Sequence, residues 1–185
     1  MTPMIALAML LATTACRPDD VGDSGGSEST DGGSATPDGG AGGDGGAAAG
    51  DCAALSITGD WISQGDDISP LFQQPSFDYV SIEATFGGDC SYRVQATTGG
   101  GDTYEFVGTY SATEGSPGTI VQWQSQPFEG TSEGIWQVDG TTLTLEVVLT
   151  TPDYGFTPPS PEAGFGSTAG QGLAPGDNVQ VYRRP

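Results

Sequence analysis

The feature that most constrains the fold of this chain is a period-two alternation of apolar and polar residues in short runs. In residues 141–149, Leu143, Leu145 and Val147 alternate with threonines and a glutamate. Successive side chains of a β-strand point to opposite faces, so such a run buries one face and exposes the other. The pattern predicts eight antiparallel strands, at residues 57–64, 78–86, 90–97, 103–111, 119–125, 133–138, 141–149 and 178–184.

The connections between these runs indicate how the strands are joined. Most are short and rich in glycine, and Asp139-Gly140 is typical of a two-residue hairpin turn. Short connections from the second strand to the seventh predict that each strand pairs with the next. Eight antiparallel strands in this order close into an up-and-down barrel, which leaves no exposed edge. A two-sheet β-sandwich is the alternative all-β architecture, although it more often contains a Greek-key crossover.

Residues at the two ends of the predicted domain resemble those of a lipocalin-like, calycin-type barrel. Gly59-Asp60-Trp61 lies on the first predicted strand, where lipocalins carry a Gly-x-Trp. Arg183 and Arg184 end the last strand, where the family has an arginine that packs over that tryptophan. The resemblance implies a barrel closed by contact between Trp61 and an arginine. The chain departs from the family at residues 150–177, which are rich in glycine and proline where lipocalins have a helix.

The N-terminal segment is typical of an export signal. Residues 4–12 form an uninterrupted apolar run, and small residues follow it. The run is too short to span a bilayer, because a spanning helix needs about 20 residues. The segment Thr13-Thr14-Ala15-Cys16 resembles the lipobox of bacterial lipoproteins. The resemblance implies that residues 1–15 are a removed signal peptide and that Cys16 is the lipid attachment site. An ordinary secretory signal with an incidental cysteine is the alternative.

An acidic, glycine-rich segment follows Cys16. Residues 17–50 contain twelve glycines and seven acidic residues, with Val21 as the only large aliphatic residue. This composition buries too little apolar surface to offset the entropy of ordering, so we predict a disordered linker at residues 16–51 before a barrel domain at residues 52–185. Such a coil has a root-mean-square span of about 30 Å. By the same resemblance, Arg17 directly after the lipidated cysteine favours the outer membrane of the cell envelope.

Two cysteines remain in the predicted barrel domain. Cys52 and Cys90 would meet an oxidising compartment after export, and lipidation of Cys16 leaves them as an even pair. We therefore expect a disulfide between Cys52 and Cys90. Two buried thiols are the alternative.

The composition argues against several classes of function. Twenty-four acidic residues face four arginines and no lysine, which gives a net charge of −20. This charge disfavours nucleic acid and anionic lipid, because both are bound through Lys and Arg. The chain contains no histidine, the commonest general base and metal ligand. The adjacent carboxylates Asp66 and Asp67 are more typical of a solvated turn than of a catalytic pair. We therefore predict a protein that is not an enzyme and that needs no cofactor or metal.

Two functions fit the predicted barrel. In the first, the interior binds a small apolar ligand, and the residues that would line it are Val80, Ile82, Tyr92, Tyr104, Phe106 and Leu145. In the second, side chains fill the interior, and the lipoprotein contacts a protein or glycan partner through loops 65–77 and 150–177. The aromatic residues, including Trp123 and Trp136, would line a cavity in the first case and form a packed core in the second. We expect a monomer in both.

Overall fold

The eight predicted strands form one closed barrel. The computed structural model describes residues 52–185, in which each strand pairs antiparallel with the next and the last strand pairs with the first. The strands are β1 (Gly59–Gln64), β2 (Tyr79–Phe86), β3 (Ser91–Thr98), β4 (Thr103–Ala112), β5 (Gly118–Gln126), β6 (Gly130–Asp139), β7 (Thr142–Thr151) and β8 (Gln180–Arg183). The up-and-down barrel is confirmed and the sandwich alternative is wrong. The expected signal peptide, Cys16 and the linker to residue 51 lie outside the described residues.

The predicted strand ends lie close to the observed ones. The largest difference is at β6, which begins at Gly130 because its first residues pair with the end of β5, although they show no apolar alternation. The helices of residues 52–185 are two 3₁₀ turns of three residues, at Cys52–Ala54 and Gly65–Asp67. Neither is long and apolar enough to cross a membrane.

The two ends of the barrel carry different structures. At the disulfide end, the β2–β3 and β4–β5 turns contact the first described residues, and Cys52 is bonded to Cys90. The predicted disulfide is thus confirmed. We call the opposite end the loop end, because it holds the two long connections. The loop-end connections are residues 65–78, 99–102, 127–129 and 152–179.

Large inward-facing side chains fill the barrel towards its disulfide end. Trp61 and Trp136 are each 1% exposed, and Tyr110 is 2% exposed. The rings of Phe86 and Tyr110 pack edge to face, with centroids 5.3 Å apart. The indole N–H of Trp61 donates to the carbonyl of Ile57 at 2.7 Å, so the polar atom of this buried ring is satisfied. These aromatic residues form a packed core.

The first residues of β2 differ from the prediction that Val80 faces the barrel interior. Tyr79 pairs with Thr98 and Ser81 pairs with Thr97, so Val80 is an extra residue in a β-bulge. The Val80 side chain is 50% exposed, whereas Tyr79 is buried. The prediction that Val80 lines the interior is therefore wrong, because strict alternation does not continue through a bulge.

The long connection before β8 packs against the outside of the barrel. We call residues 152–179 the outer strap. The backbone N–H groups of Gly166 and Thr168 donate to the carboxylate of Glu146 at 2.6 and 2.9 Å. Glu146 is on the outer face of β7 and pairs with Ile135 of β6, and the two side chains are 1% and 0% exposed. The outer strap therefore covers the β6–β7 face, at the place where lipocalins have a helix.

Candidate functional site

Trp61 is covered by one of the two arginines expected to cover it. The guanidinium carbon of Arg184 lies 4.2 Å from the centroid of the Trp61 ring, and Nη2 of Arg184 donates to the carbonyls of Ser56 and Thr58 at 3.1 and 3.2 Å. Cation–π contact and hydrogen bonding together hold the first described residues against β1.

Arg183 has a different role, in fastening the loop after β1. Its Nε donates to the carboxylate of Asp67 at 3.1 Å, and this hydrogen bond raises the pKa of Arg183. The contact also gives a structural role to Asp67, one of the two adjacent carboxylates, because Asp67 forms an ion pair with Arg183 of the last strand. This observation supports the interpretation of Asp66 and Asp67 as a turn.

The remaining residues expected to bind a ligand divide into two groups. Ile82, Tyr92 and Leu145 are 3, 6 and 4% exposed, so they belong to the packed core. Tyr104 and Phe106 are half-buried and pair with Ala96 and Val94 of β3, which places them on the inner face towards the loop end. The structure therefore leaves inward-facing apolar surface partly accessible at that end of β4.

Residues 65–78 cover the loop end beside Tyr104. The rings of Phe72 and Phe77 have centroids 5.5 Å apart, and each lies 5.7 Å from the ring of Tyr79. Tyr79 in turn lies 6.2 Å from Tyr104. The four rings form one continuous cluster, so residues 65–78 pack into the mouth of the barrel.

A buried polar network holds the same loop in place. Gln180 on β8 is 3% exposed, and its side-chain oxygen accepts the backbone N–H of Ser69 at 2.9 Å. Its amide nitrogen donates to the hydroxyl of Ser63 on β1. The backbone N–H of Leu71 donates to the carbonyl of Asp177, which joins residues 65–78 to the outer strap. The two long connections are therefore fixed to the barrel and to each other.

Burial makes the interior tyrosines poor proton donors. Loss of solvation raises the pKa of Tyr79 and of Tyr92 to about 12, and the neighbouring Tyr104 adds to the effect at Tyr79. Complete burial also raises the pKa of Tyr182. These phenols stay neutral at physiological pH because their ionisation would place a charge in the core. They pack in the core and are unsuited to acid–base chemistry.

An open groove of about 900 Å³ crosses the outer surface of the barrel, from β2 to the end of β7. Trp123 lies in this groove with its side chain 39% exposed, between its cross-strand neighbours Thr109 and Thr131. The sequence grouped Trp123 with the interior aromatic residues. The structure places it outside, because Ile120 and Gln122 take the inward positions of β5.

The groove carries hydroxyl and amide groups and little charge. Its guanidinium, on Arg93, is bound by Glu105 at 2.5 and 2.9 Å, and the carboxylate of Glu129 lies at its rim. The uncharged polar residues that line it are Thr85, Ser91, Thr109, Gln124, Ser125, Thr131 and Thr151. Within residues 52–185, no group of three or more carboxylates, cysteines or histidines could hold a metal ion.

Most of the exposed large apolar side chains of residues 52–185 lie at the loop end of the barrel. Apart from Trp123, those of the described residues are Val80, Phe128 and Tyr154, which are 50, 44 and 45% exposed. All three lie at the loop end, in the first residues of β2, the β5–β6 turn and the outer strap. Phe156 and Phe165, also in the outer strap, are half-buried.

Comparison with known proteins finds no matching family model, no matching curated protein and no matching solved structure.

Proposed function

We propose that the chain is a lipoprotein of the bacterial outer membrane whose barrel binds an envelope partner on its surface. The lipid is on Cys16, and the acidic linker holds the barrel away from the bilayer. Side chains occupy most of the barrel interior, and the open groove lies outside it. These features favour surface recognition over enclosure of a small apolar ligand.

The distribution of exposed apolar side chains carries this proposal. The chain enters its described part at Cys52, which the disulfide joins to Cys90 at the disulfide end. The exposed side chains of Phe128 and Tyr154 lie at the opposite end. Exposed apolar residues gathered on one side of a soluble domain are typical of an interaction surface. The loop end therefore faces the partner, and the described part of the chain begins at the disulfide end.

Site-specific photo-crosslinking in the native envelope tests the interaction surface. A benzophenone amino acid at Phe128 or Tyr154 is expected to form a discrete crosslinked product in cells that make the full chain. The matched control is Thr141, which is exposed in the β6–β7 turn at the disulfide end. Equal crosslinking at all three positions, or none at Phe128 and Tyr154, would contradict the proposal.

Metabolic labelling with a fatty acid tests the anchor. The wild-type chain is expected to incorporate label and to fractionate with membranes, whereas Cys16→Ser is expected to lose both properties. Equal labelling of the two chains would leave a secreted barrel without a lipid.

Binding of a small apolar molecule inside the barrel is the second candidate function. The half-buried inner face at Tyr104 and Phe106 favours it. Native mass spectrometry of the chain purified from its own envelope separates the two functions. A co-purifying apolar molecule would support the interior site, and bare protein together with crosslinks at Phe128 would support surface binding.

A further inference from the structure

The groove on the outer surface has an aromatic platform at its centre. Trp123 is flanked in the sheet by Thr109 on β4 and Thr131 on β6, whose short side chains leave the larger indole standing above them. The other two tryptophans of the chain, Trp61 and Trp136, are each 1% exposed. Trp123 is therefore the tryptophan whose ring meets solvent, and it is surrounded by small polar side chains.

The groups around Trp123 suit a ligand with many hydroxyls. Thr109, Thr131 and Thr151 lie in register with Trp123 on the outer face of the sheet, so their hydroxyls can donate to and accept from a ligand in the groove. The hydroxyl of Ser125, which also lines the groove, donates to the carbonyl of Val107 at 3.1 Å, which fixes that side chain and leaves its oxygen as an acceptor. Fixed polar groups of this kind orient a ligand at low entropic cost.

The charges of the groove argue for a neutral ligand. The guanidinium of Arg93 is already paired with Glu105, and the chain as a whole has a net charge of −20, so an anion finds no unpaired positive group there. A cation finds the single rim carboxylate of Glu129, with no convergent set of ligands. The accessible lining of the groove is mainly apolar with hydroxyl groups interspersed, and a sugar, which has apolar C–H faces and hydroxyls, matches both.

We propose that this groove binds a neutral oligosaccharide, with one sugar ring stacked on Trp123. The apolar C–H face of a sugar packs against an indole, and its hydroxyls bond to the hydroxyls of the threonines and of Ser125. The groove reaches from β2 to β7, or about 24 Å along the curved sheet at the usual strand spacing. It therefore accommodates several linked sugars. This inference rests on the proposed surface-binding function and names its partner class.

Tryptophan fluorescence gives a direct measurement on the full chain. Iodide quenches only solvent-exposed indoles, so quenching of the wild-type chain reports on Trp123. We expect at least one member of a panel of neutral hexasaccharides to reduce this quenching. The panel contains oligomers of glucose, N-acetylglucosamine, mannose and galactose with α and β linkages.

Calorimetric titration of variants locates the binding site. Trp123→Ala is expected to weaken the affinity for that hexasaccharide by about tenfold or more, and Trp123→Tyr to retain part of it. Thr141→Ala is the matched control, because it shortens an exposed side chain that lies outside both the groove and the loop end, and its affinity is expected to equal that of the wild type. An equal loss in both alanine variants would overturn the assignment to the groove.

The outcomes separate this inference from the proposed function. Absence of binding to every hexasaccharide would overturn the oligosaccharide proposal, and crosslinks at Phe128 would still support a partner of a different class. Binding of a hexasaccharide that is insensitive to Trp123→Ala would also overturn it. Protection of Trp123 from iodide by a hexasaccharide, together with loss of affinity in Trp123→Ala, supports both the oligosaccharide proposal and the proposed surface-binding function.

Discussion

At the scale of single residues, Arg184 is the best-defined contributor to barrel closure. The space it occupies also explains Gly59, where φ is 123° and an added Cβ would lie 2.5 Å from Nη1 of Arg184. A glycine is required here both by the backbone conformation and by the approach of the guanidinium. The Gly-x-Trp pattern and the final arginine thus describe one packing arrangement with Trp61.

Loss of this arrangement is expected to be measurable as stability. Arg184→Gln removes the cation–π contact and the hydrogen bonds to two carbonyls, and we expect the free energy of unfolding to fall by about 1–2 kcal/mol. Arg184→Lys keeps the charge but loses the planar donor geometry, so an intermediate loss is expected. Urea unfolding monitored by fluorescence measures both.

The control for Arg184 is an arginine in an exposed ion pair. Arg93 binds Glu105 with the two side chains 54% and 48% exposed, and such surface pairs contribute about 1 kcal/mol or less. Arg93→Gln should therefore lower the free energy of unfolding by less than Arg184→Gln does. Equal losses of unfolding free energy would mean that the contact between Arg184 and Trp61 stabilises the barrel no more than an exposed ion pair does.

The two misplaced residues show where sequence reasoning fails at this scale. Trp123 and Val80 are both large and apolar, and both lie on the outer surface. For Trp123 a usable signal is present, because Ile120 occupies the opposite face of β5 and fixes the parity of the strand. For Val80 the sequence contains no such signal, since a bulge adds one residue without changing the local composition.

At the scale of elements, strands are far more predictable than the connection that covers them. All eight strands follow from alternation and turn residues, because the inner face of each buries apolar side chains. The outer strap has no such pattern. Its position depends on contacts with Glu146 and on burial of Ile135, which no local period encodes. The exposed groove likewise depends on how six strands curve together, so the sequence alone did not locate it.

Glu146 is expected to determine whether the outer strap stays docked. Its carboxylate accepts two backbone N–H groups, and Glu146→Gln would turn an amide N–H towards one of those donors. We expect the free energy of unfolding to fall by about 2 kcal/mol, together with faster amide hydrogen exchange at residues 164–170. Hydrogen exchange followed by mass spectrometry measures the local effect.

An exposed glutamate on a neighbouring strand provides the comparison for Glu146. Glu133 on β6 accepts a hydrogen bond from the hydroxyl of Thr150 at the surface. Glu133→Gln keeps an acceptor oxygen in contact with solvent, so exchange in the outer strap should be unchanged. Unchanged exchange in Glu146→Gln as well would show that burial of Ile135 holds the strap without the carboxylate.

At the scale of the whole molecule, the disulfide bonds the first described residue to the closed barrel. The hydrogen bonds of β1 and β8 close the sheet through a short register, with Ile62 opposite Arg183. Cys52 precedes β1 and Cys90 lies in the β2–β3 turn, so the bond restrains the chain beside that closure point. The count of cysteines in the sequence predicted this pairing. Only the structure shows that the disulfide lies at the end of the barrel opposite the exposed aromatic residues.

Removal of the disulfide is expected to cost more than any other single change considered for the barrel. The two cysteines are 38 residues apart, and the entropy of the loop they close in the unfolded chain corresponds to about 4 kcal/mol. Cys52→Ala combined with Cys90→Ala should lower the unfolding free energy by that amount in urea titration. Reduction of the wild-type chain should give a similar loss, because both treatments release the same loop. A loss below about 1 kcal/mol in both would mean that Arg184 over Trp61 and the strand register suffice to close the barrel.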